Sequence, residues 1–164
     1  MPAQENEFTL MAETVLALDL GTKTGWAVGD PTGITAGTWD LKPRRYDSPA
    51  MRYVKFTARL NEIAGAYPIT RIVFEEVRRH LGTTAAHVWG AFQAQMAIWA
   101  DARKIPYEGL GVGEIKKHAT GKGNANKGAM IEACRSRLGV EPEDDNEADA
   151  RWMLALAVGW DGGE

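Results

Sequence analysis

Residues Thr14–Leu41 read TVLALDLGTKTGWAVGDPTGITAGTWDL, and this stretch decides the fold. Its first seven residues are aliphatic and β-branched apart from Asp19, and Gly21 ends the run, which is the signature of a short buried strand. TGWAVGD and ITAGTWDL repeat the strand pattern after glycine-bearing turns. Connections this tight join antiparallel neighbours, so the spacing predicts a three-strand meander. Asp19 alternates with the apolar residues of the first strand, where a carboxylate is costly to bury without a partner or a cation.

Downstream of the meander, Asp47-Ser48-Pro49 offers a capping residue and an N1 proline. Met51, Val54 and Ala58, with Phe56, Leu60 and Ile63, recur at helical spacing and predict a helix ending before Pro68. RIVFEEV, from Arg71, reads as a fourth, buried strand. A long helix is expected over Thr83–Lys104, with Val88, Trp89, Phe92, Met96 and Trp99 on its apolar side, and a fifth strand starts at Pro106-Tyr107-Glu108. The basic, glycine-bearing IKKHATGKGNANKGAM then leads into a helix through Leu138, and a last helix is expected over Asn146–Trp160. The order βββαβαβαα describes an α/β fold: a mixed five-stranded sheet, meander plus two parallel strands, flanked by helices. Residues 1–13 are polar and aperiodic and are expected to be a flexible extension, with one domain over 14–164.

A chain of 164 residues with 45% hydrophobic content suits one domain with a real core. The net charge of −3 gives no global basic signature, so any contact with nucleic acid must come from a local patch. The single cysteine, Cys134, excludes an internal disulfide and is expected to be a buried, inert thiol, consistent with a cytoplasmic protein. No apolar run suits a membrane span, and none resembles a signal peptide. Of the six tryptophans, Trp89, Trp99, Trp152 and Trp160 fall at helical spacing and are expected to pack rather than stack on bases. Ala86, Gly90 and Ala94 permit close backbone approach on the long helix, to the sheet or to a second subunit.

The acids fall in three places. Asp19 lies in the first strand; either Glu75 or Glu76, in VFEEV, points to its side by alternation. Asp145 and Asp149, in DDNEADA, share a helix face, with Asn146 three residues from Asp149. Such like charges repel unless a cation sits between them. Carboxylates from two strand ends and a helix start can converge on one cleft, an oxygen-only environment that suits magnesium. Two such ions about 4 Å apart would activate a water and stabilise the leaving 3′ oxygen of a phosphodiester. His80, His87 and His118 share no zinc-like spacing with Cys134. Lys116, Lys117, Lys122 and Lys127, among glycines, make a positive, flexible segment suited to phosphates.

These motifs carry a resemblance. ALDLGTKTGWAV, VFEEVRRH and DDNEADA look like the first motif, second acidic strand and C-terminal acidic helix of the RuvC-type Holliday junction resolvases of the RNase H-like superfamily, in order and over about Val15–Val158. The likeness is to the shorter, phage-type members. It implies an RNase H-like fold and a crossover junction endodeoxyribonuclease dependent on Mg2+, with Mn2+ as a substitute and two ions per site. Asp19, Glu75 and Asp149 become metal ligands, with Asp145 favoured over Asn146 as the fourth. Glu75 is preferred to Glu76 because the family's glutamate precedes a variable and then an aliphatic residue. Lys116 and Lys127 match two lysines near the scissile phosphate. Arg78, Arg79 and His80, with the lysines, are expected to touch DNA; some bacterial members carry an aromatic residue where Arg78 stands. Partners implied are branched DNA and a second copy of the chain in a homodimer, with no membrane, in a bacterial cell or phage-infected host. Rival readings are a YqgF-like RNA-processing nuclease of the same fold, a junction binder without catalysis, and the actin-like phosphate loop that DLGTKTGWA also resembles, for which the chain is too short.

Overall fold

The computed structural model describes residues 13–30, 32–80 and 82–161. The meander is β1 (Val15–Asp19), β2 (Lys23–Asp30) and β3 (Gly33–Asp40). Helix α1 (Met51–Ala66) leads to β4 (Arg71–Glu76), α2 (Thr83–Ala102) and β5 (Tyr107–Gly111). Then come α3 (Val112–Thr120), α4 (Lys127–Ala133), a π-helical turn over Cys134–Leu138, and α5 (Asp145–Val158). The sheet order is β3-β2-β1-β4-β5. β1 is antiparallel to β2 and parallel to β4, and β4 is parallel to β5.

Period-two alternation divides the core between the two faces. Leu16, Leu18, Ile72 and Phe74 face α1 and α2, whose Phe56, Leu60, Phe92, Met96 and Trp99 complete one cluster. Val15, Ala17, Ala27 and Val73 face the other way, onto α3, α4 and α5. The residues on this second face are small, so α5 lies close to the sheet. The closest approach is at Gly25, where an added Cβ would stand 1.9 Å from the Asn146 carbonyl oxygen.

Three sequence expectations need correction. Lys116 and Lys117 belong to a helix, α3, and not to a flexible segment: Ile115 and Ala119, four apart, bury one face, and the glycines terminate the helix at Gly121, φ 82°, instead of loosening it. Helix α1 begins at Met51 with Ala50 at its N-cap and no side-chain cap, because Asp47 is turned to the Arg44 N–H and to Lys55. Its second apolar row is not core, since Val54 is 57% exposed. Of the expected extension over 1–13, only Glu13 lies within the described residues; its carboxylate takes Arg71 at 2.5 Å. No helix among the described residues is long and apolar enough to cross a membrane.

Candidate active site

Asp19 is the last residue of β1 and shares the face of Val15 and Ala17, so its carboxylate points toward α5. Leu18 pairs with Phe74 on the parallel neighbour β4. The next residues on the two strands are Asp19 and Glu75, on adjacent strands about 4.8 Å apart. Glu75 is half-buried and on the same face; Glu76 is exposed, with Arg78 at 4.0 Å. Alternation therefore separates the two glutamates as the first-strand pattern requires.

The third contribution comes from the start of α5. Asp144 is its N-cap, accepting the Glu147 N–H at 2.9 Å and the Thr38 hydroxyl of β3 at 2.6 Å. This ties the helix start to the sheet. Glu147, 5% exposed, accepts from Arg151 at 2.8 Å and orders the following turn. Asp145 and Asp149 then lie one turn apart on the face turned to Asp19 and Glu75.

Burial raises the proton affinity of all three central acids. Asp19 is held well above the usual carboxylate range by burial first, then by Asp149, Glu75, Asp145 and Asp144. Asp149 is pushed up to about 7 by burial, Glu75 and Asp145, against the opposing pull of Lys116 and Lys127. Glu75 is raised by burial and eased by Lys116. Lys127 Nζ stands 3.3 Å from Asp145. Glu75, Asp149, Lys116 and Lys127 line one cavity of about 300 Å3, floored by Val112, Ile115 and Met130.

Among the described residues, no three His, Cys, Asp or Glu side chains form a ready-made metal cage. The donor set nevertheless fits magnesium, which is ordinarily held by one or two carboxylates with water and substrate phosphate completing the shell. Four acids sharing one field, three of them reluctant to ionise, make a place where positive charge is favoured.

Of the other residues singled out by the sequence, Lys117 and Lys122 are exposed and do not line this cavity. Arg78 and Arg79 are exposed after β4, and His80 turns toward Trp89, ring centroids 5.4 Å apart. Trp99 and Trp152 are core, while Trp89 and Trp160 are partly buried against it. An added Cβ at Gly90 meets nothing within 4 Å, so this glycine is not needed for close packing on the sheet. Sequence reasoning missed Asp144, although Asp144-x-x-Glu147 is a helix-start signature. It also missed Gly25 and Thr24, the latter fully buried and donating to the Gly21 carbonyl at 2.6 Å.

This sheet order, with carboxylates at the ends of β1 and β4 facing the last helix, is the RNase H-like fold. Among solved structures, the chain is similar to Thermus thermophilus RuvC in complex with a Holliday junction substrate, with TM-score 0.75 and 21% identity over 90% of this chain and 94% of that one. A second Thermus thermophilus RuvC structure gives TM-score 0.67 and 20% identity, covering 89% and 96%. The yeast mitochondrial Holliday junction resolvase Ydc2 gives 0.60 and 13%, covering 92% and 78%. Neither a protein-family model nor a curated protein matches the chain.

Proposed function

We propose that this chain is a divalent-metal-dependent endodeoxyribonuclease that cuts branched DNA, four-way junctions foremost, leaving 5′-phosphate and 3′-hydroxyl ends. The observation that carries the reading is the coupling of Asp19, Glu75 and Asp149 beside Lys116 and Lys127. The same fold in a protein determined with a Holliday junction substrate supports the choice of DNA structure.

Asp19, Glu75, Asp145 and Asp149 would hold magnesium, or manganese in its place, with two ions per site. When bound, the ions supply the charge that activates a water as nucleophile and stabilises the leaving oxygen. The chain's own residues do the rest. The raised carboxyls give up their protons as the cation arrives, which makes binding tighter as pH rises. Water's oxygen bonds to phosphorus and releases a proton to solvent as the bond to the 3′ oxygen breaks, and that oxygen takes up a proton from solvent. Lys116 and Lys127 offset the charge that builds on the phosphoryl oxygens. Arg78, Arg79, His80, Lys117 and Lys122 contribute sequence-independent contacts to the backbone.

Residues 14–164 act as one cytoplasmic nuclease domain, and two copies form a homodimer, because two symmetric nicks in a two-fold junction need two sites. The partly exposed Ala86 and Gly90 of α2, with the exposed Ala94 and with Ile98 at 65% exposure, leave an uncharged helix face for the second copy. The test offers a labelled immobile junction, a matched duplex and a matched RNA–DNA hybrid with magnesium or EDTA, alongside Asp19→Asn. Paired symmetric cuts in the junction alone, with metal, and a variant that binds without cutting are the expected result. Cleavage confined to the hybrid, or 3′-phosphate ends, overturns the proposal.

A further inference from the structure

Helix α3 carries Lys116, one of the two lysines of the carboxylate cavity, yet it has only nine residues. Isolated helices shorter than about 12–15 residues are marginal in water, so what fixes α3 must come from outside it. Its buried face is small, since only Ile115 and Ala119 are buried. At its C-terminal end no helical N–H remains for the last carbonyls. The Gly121 N–H bonds back to the Lys117 carbonyl at 2.8 Å. The next two carbonyls, of His118 and Ala119, share one guanidinium: Arg137 Nη1 donates to them at 2.6 and 2.7 Å.

Arg137 reaches further than this helix. Its Nη2 donates to the Asp161 carbonyl, and its guanidinium lies over the Trp152 ring, 4.9 Å from the centroid. His118 closes the arrangement: its ring meets Trp152 edge-on at 5.8 Å, and its Nε2, which faces a carbonyl and therefore donates, reaches the Trp160 oxygen at 2.6 Å. Trp152 is fully buried on α5, about one helical turn beyond Asp149. Arg137 thus joins the helix that carries Lys116 to the helix that carries Asp149. It stands on the π-helical turn Cys134–Leu138, an irregularity frequent at functional sites. A guanidinium suits the task, since its planar fork serves several acceptors at once and its charge complements the negative end of α3.

We propose that Arg137 is a positioning residue for phosphodiester cleavage: by holding the end of α3 against α5, it sets Lys116 at its working distance from Glu75 and Asp149. The inference rests on the reading of the chain as a nuclease of branched DNA and adds to it a residue that acts only through another. Lys116 lies two residues, about 3 Å along the axis, from the nearer of the two carbonyls that Arg137 holds. A helix end released by the loss of Arg137 therefore moves the lysine with it.

The test is a double-mutant cycle in the full chain on a labelled four-way junction with magnesium, read as single-turnover cleavage at saturating protein, with junction affinity measured separately in EDTA. Arg137→Met keeps the aliphatic stem and removes the donors. It is expected to slow cleavage by about 10- to 100-fold, the cost of about 1 Å of misplacement, and to leave junction affinity unchanged. Lys116→Met is itself expected to be about 100- to 1,000-fold slow, and adding Arg137→Met to it is expected to cost nothing further, because the residue it acts through is gone. Added to Lys127→Met, it is expected to cost its full factor again. Arg137→Lys keeps the charge without the fork and is expected to restore part of the rate; it also carries the cycle should Arg137→Met fail to fold. Equal losses in the parent, Lys116→Met and Lys127→Met chains would make Arg137 a general stabiliser of the fold and overturn the inference, as would no loss in the parent. A parent chain that cuts no branched DNA would instead sink the function proposed above, and this role with it.

Discussion

Replacing Gly25 by alanine puts a methyl group where the structure has the backbone of α5. The new Cβ would stand 1.9 Å from the Asn146 carbonyl oxygen, 2.4 Å from its carbon and 3.1 Å from its Cα. An ordinary contact between carbon and a carbonyl oxygen begins near 3.3 Å, so strand and helix must part by about 1.4 Å. The obstacle is main chain, and no rotamer change relieves it. The Thr38–Asp144 hydrogen bond resists the shift at the helix start. Overpacking of this kind costs about 1–3 kcal/mol, and the rigid neighbour argues for the upper end. For a chain of this size that lowers Tm by about 6–12 °C. Because Asp145 and Asp149 ride on the displaced helix, a shift of about 1 Å is also expected to slow junction cleavage by about 100-fold. Thermal unfolding by circular dichroism and single-turnover cleavage read the two effects separately. Gly65→Ala is the control: in α1, with nothing within 4 Å of the added methyl, it is expected to stabilise by about 0.5–1 kcal/mol. A Gly25→Ala protein that melts and cuts like the parent would refute the packing argument. One that melts early but cuts normally would show that the acids do not depend on where α5 sits.

Three further outcomes are expected. In EDTA the stability of the protein should fall as pH rises from about 4 to 7, because folded Asp149 still holds a proton that the unfolded chain has released; its value near 7 against an ordinary 3.8 corresponds to about 4 kcal/mol, and Asp19 and Glu75 add to it in the same direction. Urea titrations across that interval check this, magnesium should flatten the slope, and stability that climbs instead would contradict the buried-acid picture. Glu147→Ala should cost about 3–5 kcal/mol by leaving the Arg151 guanidinium buried without its partner, and Arg151→Met in the same chain should restore part of it; a loss below about 1 kcal/mol would mean the pair is solvated. Cys134, buried and with its thiol pushed up to about 11, should resist an aromatic disulfide reagent at neutral pH until the protein unfolds, and prompt labelling of the folded protein would count against its placement.

The fold was legible where a short period met a strong apolar signal. Val15-Leu16-Ala17-Leu18 marks a strand buried on both faces, and the parity of Asp19 within it fixes which face the acid takes. Alternation alone left Glu75 and Glu76 open; it is the register of β4 on β1, Leu18 opposite Phe74, that puts Glu75 on the face of Asp19. Two things were hidden for physical reasons. Helix α3 has only nine residues, and the glycines behind it made the whole lysine segment read as a loop. Thr38 and Asp144 are 106 residues apart, and Arg52 and Thr22 are 30 apart, so nothing local announces either contact. Gly25 shows the limit most plainly: a glycine in a strand can mark a bulge or a close approach, and only the position of α5 decides.

The placement of α5 also bears on how the protein is made. This helix follows every strand in chain order, yet it covers the centre of the sheet and carries Asp145 and Asp149. Synthesis proceeds from the N-terminus at about 5–20 residues per second, so β1 waits several seconds for the segment that buries it. During that interval Val15, Ala17, Ala27 and Val73 lie open on one side, and Asp19 and Glu75 have no opposing acids. A ribosome-bound or prematurely terminated chain that lacks α5 therefore has an unfinished core and an incomplete carboxylate cluster. The carboxylate cluster is therefore assembled only with the completed fold, and on the function proposed above activity would arrive with it.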